Sequence, residues 1–235
     1  VILVPLWSRG LGDVYKRQAM EINLLQIATE ILESDGVSLL TDPWLTEGEY
    51  YGSWYHYPPF PLEAIDKLTY DFIYVSHIHP DHVSEETFRR LPERKPVLIF
   101  DFASKFLKAK IERLGFEVIE CQHGESFNLS DDFAITIYAA GNCNPELCGR
   151  FLGCPSLEIA YEKTQIDTVA VFKTQDSTVI NLNDCPFELA QEVIKQNRLN
   201  ETAVDLLLLG YAGAGPYPQC FDFNSDAERE TAAQE

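Results

Sequence analysis

With 235 residues, 46% of them hydrophobic, the chain is long enough to bury one sizeable core. Its formal net charge of −19 repels phosphate backbones and argues against a nucleic-acid partner. Six cysteines without a CxxC pair exclude a zinc ribbon and read as reduced thiols of a cytoplasmic protein, and no window reaches the roughly 18 apolar residues of a membrane span.

Residues 1–19 have neither a strand nor a helix period and are read as a non-native or disordered leader, with Met20 opening a single domain over 20–235. Alternating apolar positions predict strands at Ile22–Ala28, Glu30–Glu33 and Val37–Thr41, with a hairpin turn at Ser34-Asp35-Gly36. Asp42-Pro43-Trp44 ends the third strand, because proline cannot donate to a ladder. An aromatic loop, "GEYYGSWYHYPPFP", leads to a brief helix near Leu62–Leu68. A strand at Asp71–Val75 precedes Ser84, which reads as the N-cap of a helix reaching Leu91, with Glu85 and Glu86 in its first turn. Strand Val97–Phe100, helix Ala103–Leu114 closed by Gly115, and strand Phe116–Cys121 follow. Then come a hairpin of Phe127–Leu129 with Phe133–Ala139 and an irregular stretch, Gly141–Pro155. Strands at Ser156–Tyr161, Thr168–Phe172 and Thr178–Leu182, a helix at Pro186–Gln196 and the apolar strand Val204–Leu209 complete the pattern. A helix opening at Ser225-Asp226 has no stop signal before Glu235, so the chain is read as truncated there. Runs of strands, each followed by a helix, predict an α+β fold of two sheets packed face to face with helices outside.

Three of the five histidines stand within "SHIHPDH", directly after a strand. His77 and His79, at i and i+2, project to one side of the chain. Asp81 and His82 follow in a turn shaped by Pro80. Imidazoles and carboxylates at a rigid sheet edge suit Zn2+ or a similar ion. Four such groups in six residues strain around one tetrahedral ion, whereas two adjacent ions sharing a bridge accommodate them and hydrolyse esters, lactones, amides and phosphodiesters.

The motif "HIHPDH" resembles the HxHxDH signature of the metallo-β-lactamase superfamily, whose fold is a four-layer αββα sandwich. "LLTDPWL", "VINLNDC" and "LLLLGYAGAGPYP" extend the likeness over about residues 20–222. They are similar to the lactamase-like domain of CMP-N-acetylneuraminate hydroxylases and to the ascorbate-6-phosphate lactonase and phospholipase-D-like branch. The resemblance implies a first metal on His77 and His79, a second on Asp81 and His82, and Asp184 bridging them. Zinc is the expected metal, in two copies, with iron or manganese as alternatives. It further implies catalytic roles for Asp81, which orients the attacking water, and Asp184, with Asp42 supporting the histidine loop through hydrogen bonds.

The family's third histidine for the first metal has no counterpart in "AAGNCNPELCG". Cys143 or Asn144 occupies its place. Either Cys143 supplies a thiolate ligand, or the first site is incomplete and one ion occupies the second. No histidine follows His123, so the family's last histidine is also missing from the given sequence. His123 itself is read as a non-ligand, and without a following CxxH it cannot belong to a Rieske centre. The loops holding His56 and Trp54, and Tyr211, are expected to frame the pocket of a small-molecule substrate. The expected activity is a metal-dependent hydrolase on a small polar ester, lactone or phosphodiester. An accessory metal module of a sugar-nucleotide hydroxylase and a degenerate, non-catalytic member remain as alternatives.

Overall fold

The computed structural model describes residues 20–140, 167–210 and 225–227. Its first sheet runs in chain order: β1 (Glu21–Gln26), β2 (Thr29–Ser34), β3 (Val37–Thr41), β4 (Phe72–Tyr74), β5 (Val97–Phe100) and β6 (Val118–Cys121). β1, β2 and β3 pair antiparallel, and β3 to β6 are parallel. The β2–β3 hairpin closes on Asp35 and Gly36, both with positive φ (51° and 73°), as a two-residue turn of this hand demands. Parallel strands are covered on both faces, which is why Ile73, Tyr74, Val97, Leu98 and Ile99 form apolar runs without alternation.

The second sheet has the order β11 (Leu206–Leu208), β10 (Thr178–Asn181), β9 (Thr168–Lys173), β8 (Ala134–Ala139), β7 (Ser126–Asn128). All its pairs are antiparallel except β10 with β11. Along β8, Ile135, Ile137 and Ala139 are buried while Ala134, Thr136 and Tyr138 on the other face are half-buried. The two sheets share one core, in which Tyr74 meets Phe172 and Phe72 meets Phe127 edge-on, each pair with ring centroids 6.0 Å apart.

Helices cover the outer faces. α1 (Glu49–Gly52) and α2 (Leu62–Ile65) are single turns. α3 (Glu85–Arg90) is capped by the Ser84 side chain, which accepts from the Thr87 N–H. Its Phe88 packs on Phe116, centroids 5.0 Å apart, and α4 (Phe106–Arg113) buries Leu107 and Ile111 in the same core. Each such side chain contributes roughly 1.5–3 kcal/mol by leaving water. α5 (Phe187–Gln196) lays Ala190 and Val193 over Val169, Val171 and Ile180 of the second sheet. The result is the α+β sandwich expected from the strand and helix runs.

Two expectations shift. The apolar run Val204–Leu209 forms only a three-residue edge strand, with Leu206 and Leu207 about two-fifths exposed (41% and 44%). The aromatic loop contains α1, whose Tyr50 and Tyr51 sit in the left-handed region (φ 50° and 61°), so periodicity gives no sign of it. The expected strand Ser156–Tyr161 and the terminal helix beyond residue 227 lie outside the described residues. No helix among the described residues is long and apolar enough to cross a membrane.

Candidate metal centre

The carboxyl ends of three strands converge at one rim, where open α/β sheets hold ligands. β3 delivers Asp42, β4 delivers Ser76 to His82, and β10 from the other sheet delivers Asp184. Two groups of donor atoms form there. One is His77, His79 and Asp184, and the other is Asp81, His82 and Asp184, with the atoms of each group within 4.8 Å of one another. Asp184 belongs to both.

The spacing suits an ion. Two donors, each about 2.1 Å from one tetrahedral metal, lie about 3.4 Å apart. The observed pairs bracket that value: His77 Nε2 to His79 Nδ1 is 2.8 Å, His82 Nε2 to Asp184 Oδ2 is 3.2 Å, and His82 Nε2 to Asp81 Oδ2 is 3.7 Å. Imidazole with carboxylate is a donor set for zinc, iron or manganese.

A buried scaffold fixes the rings. Asp42 Oδ1 accepts from the Ser76 N–H at 2.7 Å, and its Oδ2 accepts from the Ser76 hydroxyl at 2.8 Å and lies 3.0 Å from His82 Nδ1. Ser76 Oγ is also 2.8 Å from His77 Nδ1. In both histidines the Nδ1 atom is therefore occupied, and Nε2 faces the shared space. Thr168 Oγ1 donates to the Ser76 carbonyl at 3.1 Å, tying this loop to the second sheet. Asp42 and Asn183 both hold positive φ (38° and 49°), strain of about 1–3 kcal/mol each that only a well-packed surrounding sustains. Gly210 lies so close that a Cβ there would stand 3.4 Å from the Asn183 carbonyl oxygen and 3.8 Å from Asp184 Oδ1.

Charge is divided unevenly. Burial opposes a proton on His82, but the Asp42 and Asp184 carboxylates overcome it and raise the ring's pKa to about 10. Burial, with neighbouring His82, drives His77 well below the usual imidazole value, and burial also lowers His79. The hydrogen bond from His82 pulls the Asp184 carboxyl down. Asp81 and His82 are buried, while the Asp184 side chain is 48% exposed, so the centre opens to solvent on that side.

Other residues proved part of this neighbourhood. Tyr50 donates its phenol to Asp81 Oδ1 at 2.7 Å; burial first, then that bond, push its pKa far up, so it stays a donor. Asp167 precedes β9, and burial followed by the charge of Asp184 raises its carboxyl to about 6. Ser76 and Thr168 complete the scaffold. Ser76 carried a sequence signal in its place immediately before the first histidine, and Tyr50 a fainter one in the glycines that flank its turn.

The aromatic loop packs largely on itself. His56 is buried, its Nε2 is 3.0 Å from the Trp44 carbonyl and its ring tilts against that of Trp44, centroids 3.9 Å apart. Trp54 is half-exposed and tilts against Tyr50 at 4.7 Å. His123 Nδ1 accepts from the Ala139 N–H, away from the cluster. Cys143, Asn144 and Tyr211 lie outside the described residues. A groove of about 440 Å3 on the outer face of the second sheet, lined by Asp131, Lys173 and Arg198 among others, shares no residue with the cluster.

Residues 21–146, more than half of the chain, match the family model of the Beta-lactamase superfamily domain. The chain belongs to the beta-lactamase superfamily. A putative Rieske 2Fe-2S iron-sulfur protein of Mycolicibacterium smegmatis is 26% identical over 219 residues, covering 92% of this chain and 38% of its own. The chain thus spans about two-fifths of such a curated relative. Among solved structures, isothiocyanate hydrolase from Delia radicum gut bacteria superposes with a TM-score of 0.53 at 20% identity, over 75% of this chain and 67% of that one. CmlA, a diiron beta-hydroxylase from Streptomyces venezuelae, gives 0.50 at 16% identity, over 80% and 34%. At these identities the superpositions speak for the lactamase-like fold alone.

Proposed function

We propose that this chain, over residues 20–235, is a metal-dependent hydrolase acting on a small polar ester, lactone or phosphodiester. The observation that carries the reading is the sharing of Asp184 by two donor groups, the arrangement that a pair of bridged ions requires. His77, His79 and Asp184 would hold one ion, and Asp81, His82 and Asp184 the other. Cys143 is the proposed further ligand of the first. A bound divalent cation supplies Lewis acidity and makes water acidic enough to lose a proton near neutrality. Asp81 would orient that water, while Asp184 would hold the two ligand groups in register across the sheets. Asp42 fixes the His82 ring by its Nδ1 and so keeps Nε2 aimed inward. Trp54, half-exposed beside Tyr50, is the described side chain proposed to meet substrate; Tyr211 is proposed for the same role.

A cytoplasmic setting is the proposal that the cysteine usage supports; Cys121 is buried and not in a disulfide. Elemental analysis of protein purified without chelator, paired with turnover of a generic phosphodiester and a lactone, tests the reading. About two zinc ions per chain and hydrolysis lost on Asp184→Asn support it. Absence of zinc, iron and manganese contradicts it.

A second reading rests on the Rieske-named relative, which aligns with nearly the whole of this chain. There the domain would be an accessory metal module of a monooxygenase of the sugar-nucleotide kind. A single redox-active iron per chain and no hydrolysis favour it.

A further inference from the structure

The loop from Gly48 to Tyr57 turns back through an unusual succession of left-handed residues: Gly48, Tyr50, Tyr51 and Gly52 all have positive φ. Glycine adopts that conformation freely, but a tyrosine does so only when something holds it. Tyr51 is fully exposed, with no side-chain hydrogen bond among the described residues. Tyr50 is the one that reaches inward, and its phenol meets Asp81 Oδ1 at 2.7 Å. Asp81 Oδ2 is then the oxygen left facing His82 Nε2. Trp54 leans on the Tyr50 ring, and the Gly48 N–H donates to the Trp54 carbonyl, so the turn, the phenol and the indole are joined in one packed unit.

We propose that Tyr50 is a positioning residue that restricts Asp81 to one-oxygen ligation and, through the same bond, docks the aromatic loop against the metal centre. This rests on the metal-dependent reading above. A carboxylate with both oxygens free can chelate one ion, filling two coordination positions; with Oδ1 engaged by the phenol, one of those positions stays open. The strained turn is the cost of placing the phenol there, and the bond to Asp81 is what sustains it.

Zinc titration of metal-free wild type, Tyr50→Phe and Tyr51→Phe against a chromophoric chelator tests the proposal, together with visible spectra of the Co2+-loaded proteins. Tyr50→Phe is expected to bind the ion of His77 and His79 as before and the ion of His82 about tenfold more weakly, the usual scale for a lost supporting hydrogen bond. Its cobalt absorption is expected to weaken as Asp81 turns both oxygens to the metal and the coordination number rises. Chymotrypsin should cut faster between residues 50 and 57. Tyr51→Phe, altering the exposed neighbour in the same turn, should match wild type. Two ions bound with wild-type affinity and an unchanged cobalt spectrum in Tyr50→Phe would overturn this inference alone. A wild-type chain that takes up no metal would overturn the underlying reading and this inference with it.

Discussion

Nε2 of His82 stands 3.2 Å from Oδ2 of Asp184, a contact that joins the end of β4 in one sheet to the end of β10 in the other. The histidine is buried and the aspartate half-exposed, so the pair marks where the sandwich interior meets solvent. Removing Asp184 takes a donor from both ligand groups at once. Asp184→Asn should reduce bound metal to one ion or fewer and lower kcat/KM by about a hundredfold or more, a loss of several kcal/mol of transition-state stabilisation. Metal analysis alongside steady-state kinetics checks it.

Protons and metal compete at His82. Its pKa stands at about 10 in the metal-free protein, because Asp42 and Asp184 outweigh the effect of burial, whereas His77 and His79 are held neutral. Loading the group of Asp81, His82 and Asp184 near pH 7 should therefore release about one proton, and the group of His77 and His79 almost none. Calorimetric titration in buffers of different ionisation enthalpy measures this. The sign for stability is the reverse: a raised histidine pKa stabilises fully below the unfolded value and is lost as pH climbs towards 10. The metal-free protein should weaken over that range.

Asp42 is fully buried and takes bonds from the Ser76 N–H, the Ser76 hydroxyl and the His82 ring. Asp42→Ala leaves all three without an acceptor and should cost about 3 kcal/mol of stability in denaturant unfolding. Asp42→Asn, of the same shape, should fold but bind the second ion about tenfold to a hundredfold more weakly.

Behind the site Glu30 is buried, its carboxylate accepting only from the Thr41 hydroxyl at 2.6 Å among the described contacts, and burial raises its pKa to about 7. A carboxyl with a raised folded pKa stabilises below its unfolded value, near 4.5, and that contribution fades as pH rises through 7. Glu30→Gln should flatten the fall in Tm between pH 5 and about 8, as read by thermal melts across that range.

Local chemistry made much of this legible. Val37–Thr41 and Val97–Phe100 stand where their apolar runs predict, and Ser84 caps α3 because its hydroxyl can reach the Thr87 N–H. The histidines and Asp184 could be singled out because the chain carries the family's motifs. Tyr50 was missed because its role depends on a contact across 31 residues and on a left-handed turn that has no period; the glycines at 48 and 52 were the available hint. Asp167 and Thr168 stand at the start of the strand predicted at Thr168–Phe172, and their approach to the centre is set by how β9 packs against Tyr74 of β4, a contact across the sheets that has no local pattern. The apolar run around β11 suggested a longer strand, yet only Leu206, Leu207 and Leu208 pair in register with β10.

Anomalous diffraction from crystals grown with zinc examines the shared carboxylate most directly. Two peaks about 3.5–4 Å apart, with Asp184 between them and His77, His79, Asp81 and His82 divided on either side, are expected. A single peak with Asp184 turned away, or none, would contradict the paired-ion centre.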